Sequence, residues 1–122
     1  MLNNLSISKL FFIDIETAPY WPSFEQMPVE FRKHWEHKAM LLSRNADETP
    51  EKLYGRAGIY AEFARVICIS SAYFYNGQLR VKSFAGDNEH DLLSSFAEAV
   101  HSFFLTPGTC LVAHNGKEFD FP

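Results

Sequence analysis

The chain has 122 residues, of which 47% are hydrophobic and 16% aromatic, and its formal net charge is −4. This apolar content suffices for a packed core and excludes wholesale disorder, and the acidic charge argues against a protein that grips nucleic acid mainly through a broad basic face. No apolar run approaches the ~20 residues of a membrane span, and the N-terminus lacks a signal-peptide pattern. The single cysteines, Cys68 and Cys110, lie in strand-like runs and favour buried thiols over a disulfide. We therefore expect a cytoplasmic protein.

The first part of the chain predicts a strand followed by a helical region. Residues 9–15 are apolar on both faces until two acids appear, which is typical of a central strand. The region 20–62 is charged, aromatic and punctuated by prolines, and we interpret it as a helical insertion. One helix is predicted to begin near Pro28, and a second, short one to begin with Thr49 as its N-cap. The apolar face of the first helix is predicted to consist of Phe31, Trp35, Ala39 and Leu42.

The second part predicts a hairpin, a helix and a further strand. Residues 64–75 are rich in β-branched and aromatic residues, and Asn76-Gly77 after them is a strong signal for a two-residue hairpin turn that leads into a strand over 78–84. A helix is predicted over 89–105, and Asp87 or Asn88 can cap its start. Its predicted apolar face consists of Leu92, Leu93, Phe96, Ala97, Val100, Phe103 and Phe104, and the fourth strand is predicted over Thr109–Ala113. The order indicates an α/β protein with a mixed sheet: an antiparallel trio of strands, then a helix that crosses to the fourth, with helix cover on at least one face.

Two acids lie inside one of the most apolar stretches of the chain, LFFIDIET at residues 10–17. In a strand, side chains alternate between the faces, so Asp14 and Glu16 share one face. Two carboxylates in such surroundings repel each other and are penalised by desolvation unless a cation lies between them. A divalent metal ion is the hard cation that carboxylates bind. The alternative is a strand end whose acids face solvent.

A third acid follows the fourth predicted strand. Asn115 and Asp120 bracket a turn that is predicted to lead into a helix. If the fourth strand lies beside the first, Asp120 approaches Asp14 and Glu16, and three carboxylates suit a pair of divalent ions about 3.5–4 Å apart. The alternative is ordinary turn chemistry, because Asn-Gly is a common turn and Asp is tolerated at a helix start.

These two motifs resemble those of a known family. FIDIET at residues 12–17 looks like the first motif of the DEDD 3′–5′ exonucleases, and HNGKEFD at residues 114–120 looks like their second motif, Asn-x-x-x-Phe-Asp. The order of strand, hairpin, helix and strand between them fits the ribonuclease H-like fold of that family. The Phe-Asp-x-Pro ending with Pro122, and the long helical excursion, resemble predicted bacterial exonucleases that are similar to the proofreading domains of family B DNA polymerases.

The resemblance implies a role for each matching position. It implies that Asp14, Glu16 and Asp120 are catalytic, metal-binding acids that hold Mg²⁺ or Mn²⁺, two ions in the complete domain. It implies that Thr17 meets the terminal nucleotide. The remaining matches, which support the second motif and the substrate pocket, are Asn115 and Phe119. The implied partner is the 3′ end of a nucleic acid, with DNA favoured over RNA.

The family's third motif, which carries a fourth acid, is absent from these 122 residues. We therefore expect residues 1–122 to be the N-terminal part of an exonuclease domain, with little activity alone because one metal-binding group and the residue that positions the water are missing. An exposed edge at the fourth strand favours a homodimer. The alternatives are a non-catalytic module that binds nucleic acid or protein, and a ribonuclease H-like enzyme that cleaves internally.

Overall fold

The computed structural model describes residues 5–121, and its strands form one mixed sheet. The strand order within the described residues is β3-β2-β1-β4, where β2 and β3 are antiparallel and β1 and β4 are parallel. The strands are β1 (Leu10–Pro19), β2 (Ala64–Tyr75), β3 (Gln78–Ala85) and β4 (Cys110–Val112), and the α-helices are α1 (Val29–Leu42), α2 (Pro50–Leu53) and α3 (Glu89–Phe104). The mixed α/β class expected from the sequence is confirmed. No helix in the described part of the chain is long and apolar enough to cross a membrane.

The chain divides into two compact units. One unit is the segment Thr17–Arg65, and the other combines the residues before it with those from Val66 onward. Each unit has a buried apolar cluster composed only of its own residues. We call them the helical unit and the sheet unit.

In the sheet unit, α3 packs on one face of the sheet. Ile69 and Phe84 are buried there with Leu92 of the helix, and Phe11 lies 4.9 Å from the ring centroid of Phe103. Burial of these large apolar side chains is the main stabilising contribution to this layer. The sequence overestimated the width of the buried helix face, since Leu93 (40% exposed), Ala97 and Phe104 are exposed.

The hairpin between β2 and β3 follows its local sequence. Asn76 and Gly77 have φ values of 50° and 74°, as a turn with two left-handed residues requires. The paired register then runs from Tyr75 opposite Gln78 to Cys68 opposite Ala85. Cys68 and Cys110 are free thiols, but both are only half-buried, so the prediction of buried cysteines was wrong.

The helical unit is organised around Trp35, which is completely buried. Its indole N–H donates to the carbonyl of Pro50 at 2.8 Å, so the polar atom of this side chain is satisfied inside the core. Thr49 caps α2 as predicted, since its side chain accepts from the N–H of Lys52. Phe31, expected on the buried face of α1, is 46% exposed and contacts the ring of Trp21 instead.

Candidate active site

The geometry of the candidate site starts from the pairing of β1 with β4. Leu10 is opposite Cys110 and Phe12 is opposite Val112, in parallel orientation. Parallel strands run in the same direction. Asp14 therefore follows the paired residues of β1 at the same end of the sheet at which β4 continues into the turn over residues 114–120. β4 therefore lies beside β1, which is the condition under which Asp120 was expected to approach the first two acids.

Asp14 and Glu16 lie on the same face of β1, as the alternation of the strand requires. Their Cα atoms are separated by two residues, roughly 6–7 Å along a strand. Both side chains are exposed, whereas Phe11 and Ile13 on the opposite face are buried. The expectation that apolar residues surround the two acids is therefore wrong, because α3 packs on the other face of the strand. Because the two carboxylates are exposed to water, they are not desolvated, and desolvation does not require a cation beside them.

The second motif forms a compact turn, as expected, and residues 114–121 contain no helix. Asn115 has a φ of 55°, and its carbonyl accepts from the N–H of Glu118 at 3.0 Å. The N–H of Phe121 donates to the carbonyl of Gly116 at 2.8 Å. Gly116 is buried, and a Cβ at this position would lie 2.6 Å from the Phe121 ring and 2.9 Å from the Cβ of Ala113. The glycine is therefore required by close packing, and the Asn-Gly pair in the sequence was the available signal for it.

Asp120 is the most constrained of the three acids. The residue is half-buried, and its Oδ1 atom is buried without a hydrogen-bond partner in the described part of the chain. A buried acceptor without a partner costs about 1–3 kcal/mol. Such an orphaned carboxylate oxygen is a group that a hard divalent cation binds, so Asp120 fits the proposed metal chemistry.

The structure does not gather the three acids into one ligand cluster. Among residues 5–121, no three His, Cys, Asp or Glu side chains are close enough together to hold a metal ion. Asp14 and Glu16 share a strand face, and Asp120 belongs to the turn that follows the neighbouring strand. The all-carboxylate donor set is the one that Mg²⁺ and Mn²⁺ prefer.

The expected substrate-contacting residues occupy different environments. Thr17 is half-buried, and its hydroxyl donates to the carbonyl of Gly58 within the helical unit. Asn115 is exposed at the start of the turn, and the Phe119 ring is 39% exposed near its end. An exposed aromatic ring beside a carboxylate is suited to stacking on a base. Pro122, part of the motif resemblance, lies outside the described residues.

Comparison of the chain with protein-family models, with curated proteins and with solved structures finds no match.

Proposed function

We propose that this chain belongs to a metal-dependent 3′–5′ exonuclease with a ribonuclease H-like fold, acting on the 3′ end of a nucleic acid, with DNA favoured over RNA. The observation that carries the proposal is the parallel pairing of β1 with β4. Because of this pairing, the two sequence motifs begin at the carboxyl ends of the paired segments of two neighbouring strands, although Glu16 and Asp120 are 120 − 16 = 104 residues apart.

The three acids are proposed to have different roles, because they lie in different environments. Asp14 and Glu16 are exposed on one strand face, where a hydrated ion and a phosphodiester have access to them. Asp120 supplies an oxygen that has no partner within residues 5–121. When bound, a pair of Mg²⁺ or Mn²⁺ ions would lower the pKa of the attacking water and stabilise the leaving oxygen.

The remaining motif residues are proposed to position the substrate. The exposed Phe119 ring is available to stack on a base. Asn115 adopts the left-handed backbone conformation with which the turn that contains Asp120 begins. Thr17 joins β1 to the carbonyl of Gly58. In this arrangement its backbone, next to Glu16, is the part of the residue that meets the terminal nucleotide.

The free thiols of Cys68 and Cys110 are consistent with the proposed cytoplasmic location.

Calorimetric titration with Mn²⁺ tests the proposal without requiring turnover. We expect the wild-type chain to bind Mn²⁺, and Asp14→Ala and Asp120→Asn each to weaken binding at least about tenfold, since each removes a charged ligand. Glu98→Ala, which removes an exposed acid from α3, is the matched control and leaves binding unchanged.

Two results would contradict the site assignment or favour the alternative function. Equal Mn²⁺ binding by the wild type and by Asp14→Ala would overturn the site assignment. Retention of a single-stranded oligonucleotide by a chain that binds no Mn²⁺ would favour the alternative of a non-catalytic binding module.

A further inference from the structure

The sheet unit contains a cavity of about 470 Å³ between α3 and the face of the sheet that this helix covers. This volume is within the range of small-molecule sites. Most of the residues that line it come from the sheet and from the second half of α3. The ones that matter for recognition are Phe11, Tyr73, Lys82, Phe84, Ser102 and Phe103.

One wall of the cavity is aromatic. The rings of Phe11 and Tyr73 are stacked with their centroids 6.0 Å apart and an interplanar angle of 15°. Phe103 lies 4.9 Å from Phe11 and 5.6 Å from Tyr73, measured between ring centroids. Phe84 contributes a further ring to the lining. Phe11 and Phe84 are buried behind this wall, so a planar aromatic guest meets the partly exposed rings of Tyr73 and Phe103.

Lys82 supplies the charge of the cavity. Its ammonium lies 4.6 Å from the centroid of the Phe84 ring, a cation–π distance, and it forms no ion pair with any residue in the described range 5–121. Two lining hydroxyls already donate to the backbone: Ser71 to the carbonyl of Lys82, and Ser102 to that of Glu98. The lysine is the cationic side chain of this lining and is available to hold an anion.

The cavity is separate from the candidate active site. Ser8, Thr106 and Thr109 line it and precede β1 and β4, whereas the acids follow the paired part of these strands. Phe11 points into the cavity from the face of β1 opposite to that of Asp14 and Glu16. A ligand in the cavity would therefore not use the acids.

We propose that this cavity binds a small aromatic carboxylic acid. The ring packs against Tyr73 and Phe103, which the buried Phe11 supports from the core, and the carboxylate pairs with the Lys82 ammonium. The apolar wall favours the ring by burial, and the single cation selects an acid over a neutral analogue.

The test uses 2-naphthoate as the probe and naphthalen-2-ylmethanol as its neutral analogue, with binding to the 122-residue chain measured by calorimetry. We expect 2-naphthoate to bind about tenfold more tightly than the alcohol, because only the acid forms a charge-assisted contact. Lys82→Met keeps the aliphatic stem and removes the charge, so it is expected to abolish this preference. Lys33→Met, which removes an exposed charge from α1, is the control and preserves it.

A second pair of variants tests the location of the probe. Ser102→Phe fills the cavity and is expected to abolish binding of both probes, whereas Ser94→Phe, an exposed position on the same helix that does not line the cavity, leaves binding intact. Far-UV circular dichroism verifies that each variant is folded. The proposal is overturned if the wild type binds neither probe at 1 mM, if Lys82→Met retains the preference for the acid, or if folded Ser102→Phe binds as the wild type does.

Discussion

Tyr54 combines deep burial with a single polar contact in the core of the helical unit. The side chain is 5% exposed, and its hydroxyl donates to the carbonyl of Trp21 at 2.8 Å. The Trp35 ring meets it edge-on, with centroids 5.5 Å apart. Burial raises the pKa of the Tyr54 phenol above its ordinary value, because the charged phenolate would lose its hydration.

This raised pKa predicts an alkaline loss of stability that depends on Tyr54. In the unfolded chain the phenol ionises near pH 10, before it does in the folded chain, so the free energy of unfolding falls as the pH rises from about 10 through the folded pKa. Tyr54→Phe cannot ionise, and the stability difference between wild type and Tyr54→Phe should therefore change in favour of the variant between pH 9 and pH 11. Urea denaturation at each pH measures this difference. Tyr75→Phe, at a position 59% exposed, is the control and should show no such trend; parallel pH profiles for wild type and Tyr54→Phe would contradict the prediction.

Helix α3 is anchored at its start by two side-chain contacts with different partners. Asn88 is the N-cap, and its side-chain oxygen accepts from the N–H of Asp91 at 3.3 Å. Glu89 reaches beyond the helix and accepts from the N–H of Val66, at the start of β2, at 2.6 Å. The second contact ties the helix to the sheet that it covers.

The capping geometry predicts which of two neighbouring residues matters. Asn88→Ala removes the acceptor for a helix N–H and should lower the free energy of unfolding by about 1 kcal/mol. Asp87→Ala, which the sequence left as an equally acceptable cap, should change it by less than about 0.5 kcal/mol because Asp87 is exposed and does not cap the helix. Urea denaturation of the two variants measures both values. A larger loss for Asp87→Ala than for Asn88→Ala would show that the cap is assigned to the wrong residue.

At the scale of the whole molecule, most of the buried apolar residues belong to one of two clusters that share no member. The larger one, in the helical unit, surrounds Trp35 with the rings of Tyr54 and Phe63 at centroid distances of 5.5 Å and 5.1 Å. The cluster in the sheet unit is smaller and lies beneath α3. Each unit therefore has a buried core of its own.

Removing the central side chain of the helical unit should be severe. Trp35→Ala loses a completely buried ring and its bond to Pro50, and should lower the free energy of unfolding by about 3–5 kcal/mol. Met40→Ala, on the same helix at a position 66% exposed, should cost less than about 0.5 kcal/mol. Chemical denaturation followed by far-UV circular dichroism measures both variants. Similar stabilities for the two would refute the assignment of Trp35 as the centre of this core.

The two ends of the strand order are the edges of the described sheet, β3 on one side and β4 on the other. β3 carries Arg80 and Lys82, and charged residues of this kind protect an edge from pairing with other chains. β4 has only three residues, Cys110–Val112, without a charge. The expected homodimer through the β4 edge stays a prediction, which analytical ultracentrifugation of the chain can test.

Local sequence patterns predicted most of the elements because their causes are local. The Asn76-Gly77 turn, the strand over 64–75 and the Thr49 cap each depend on the conformational preferences of a few adjacent residues, and all three agree with the structure. Exposure was predicted less well. Phe31 and Leu93 fit a helical apolar stripe, yet they are exposed because the packing partners of α1 and α3 cover a narrower face than the stripe.

For the candidate site, the sequence by itself determined which acids share a strand face, and it located the Asn-Gly turn that precedes Asp120, because alternation and turn chemistry are properties of neighbouring residues. The tertiary structure alone decided that β4 lies parallel and adjacent to β1, that Asp14 and Glu16 are exposed, and that an oxygen of Asp120 is buried without a partner in the described chain. The pairing of β1 with β4 joins strands that are separated by about 90 residues of sequence (110 − 19 = 91). A contact of that kind is set by the packing of whole elements, and no local pattern encodes which face of β1 the helix α3 will cover.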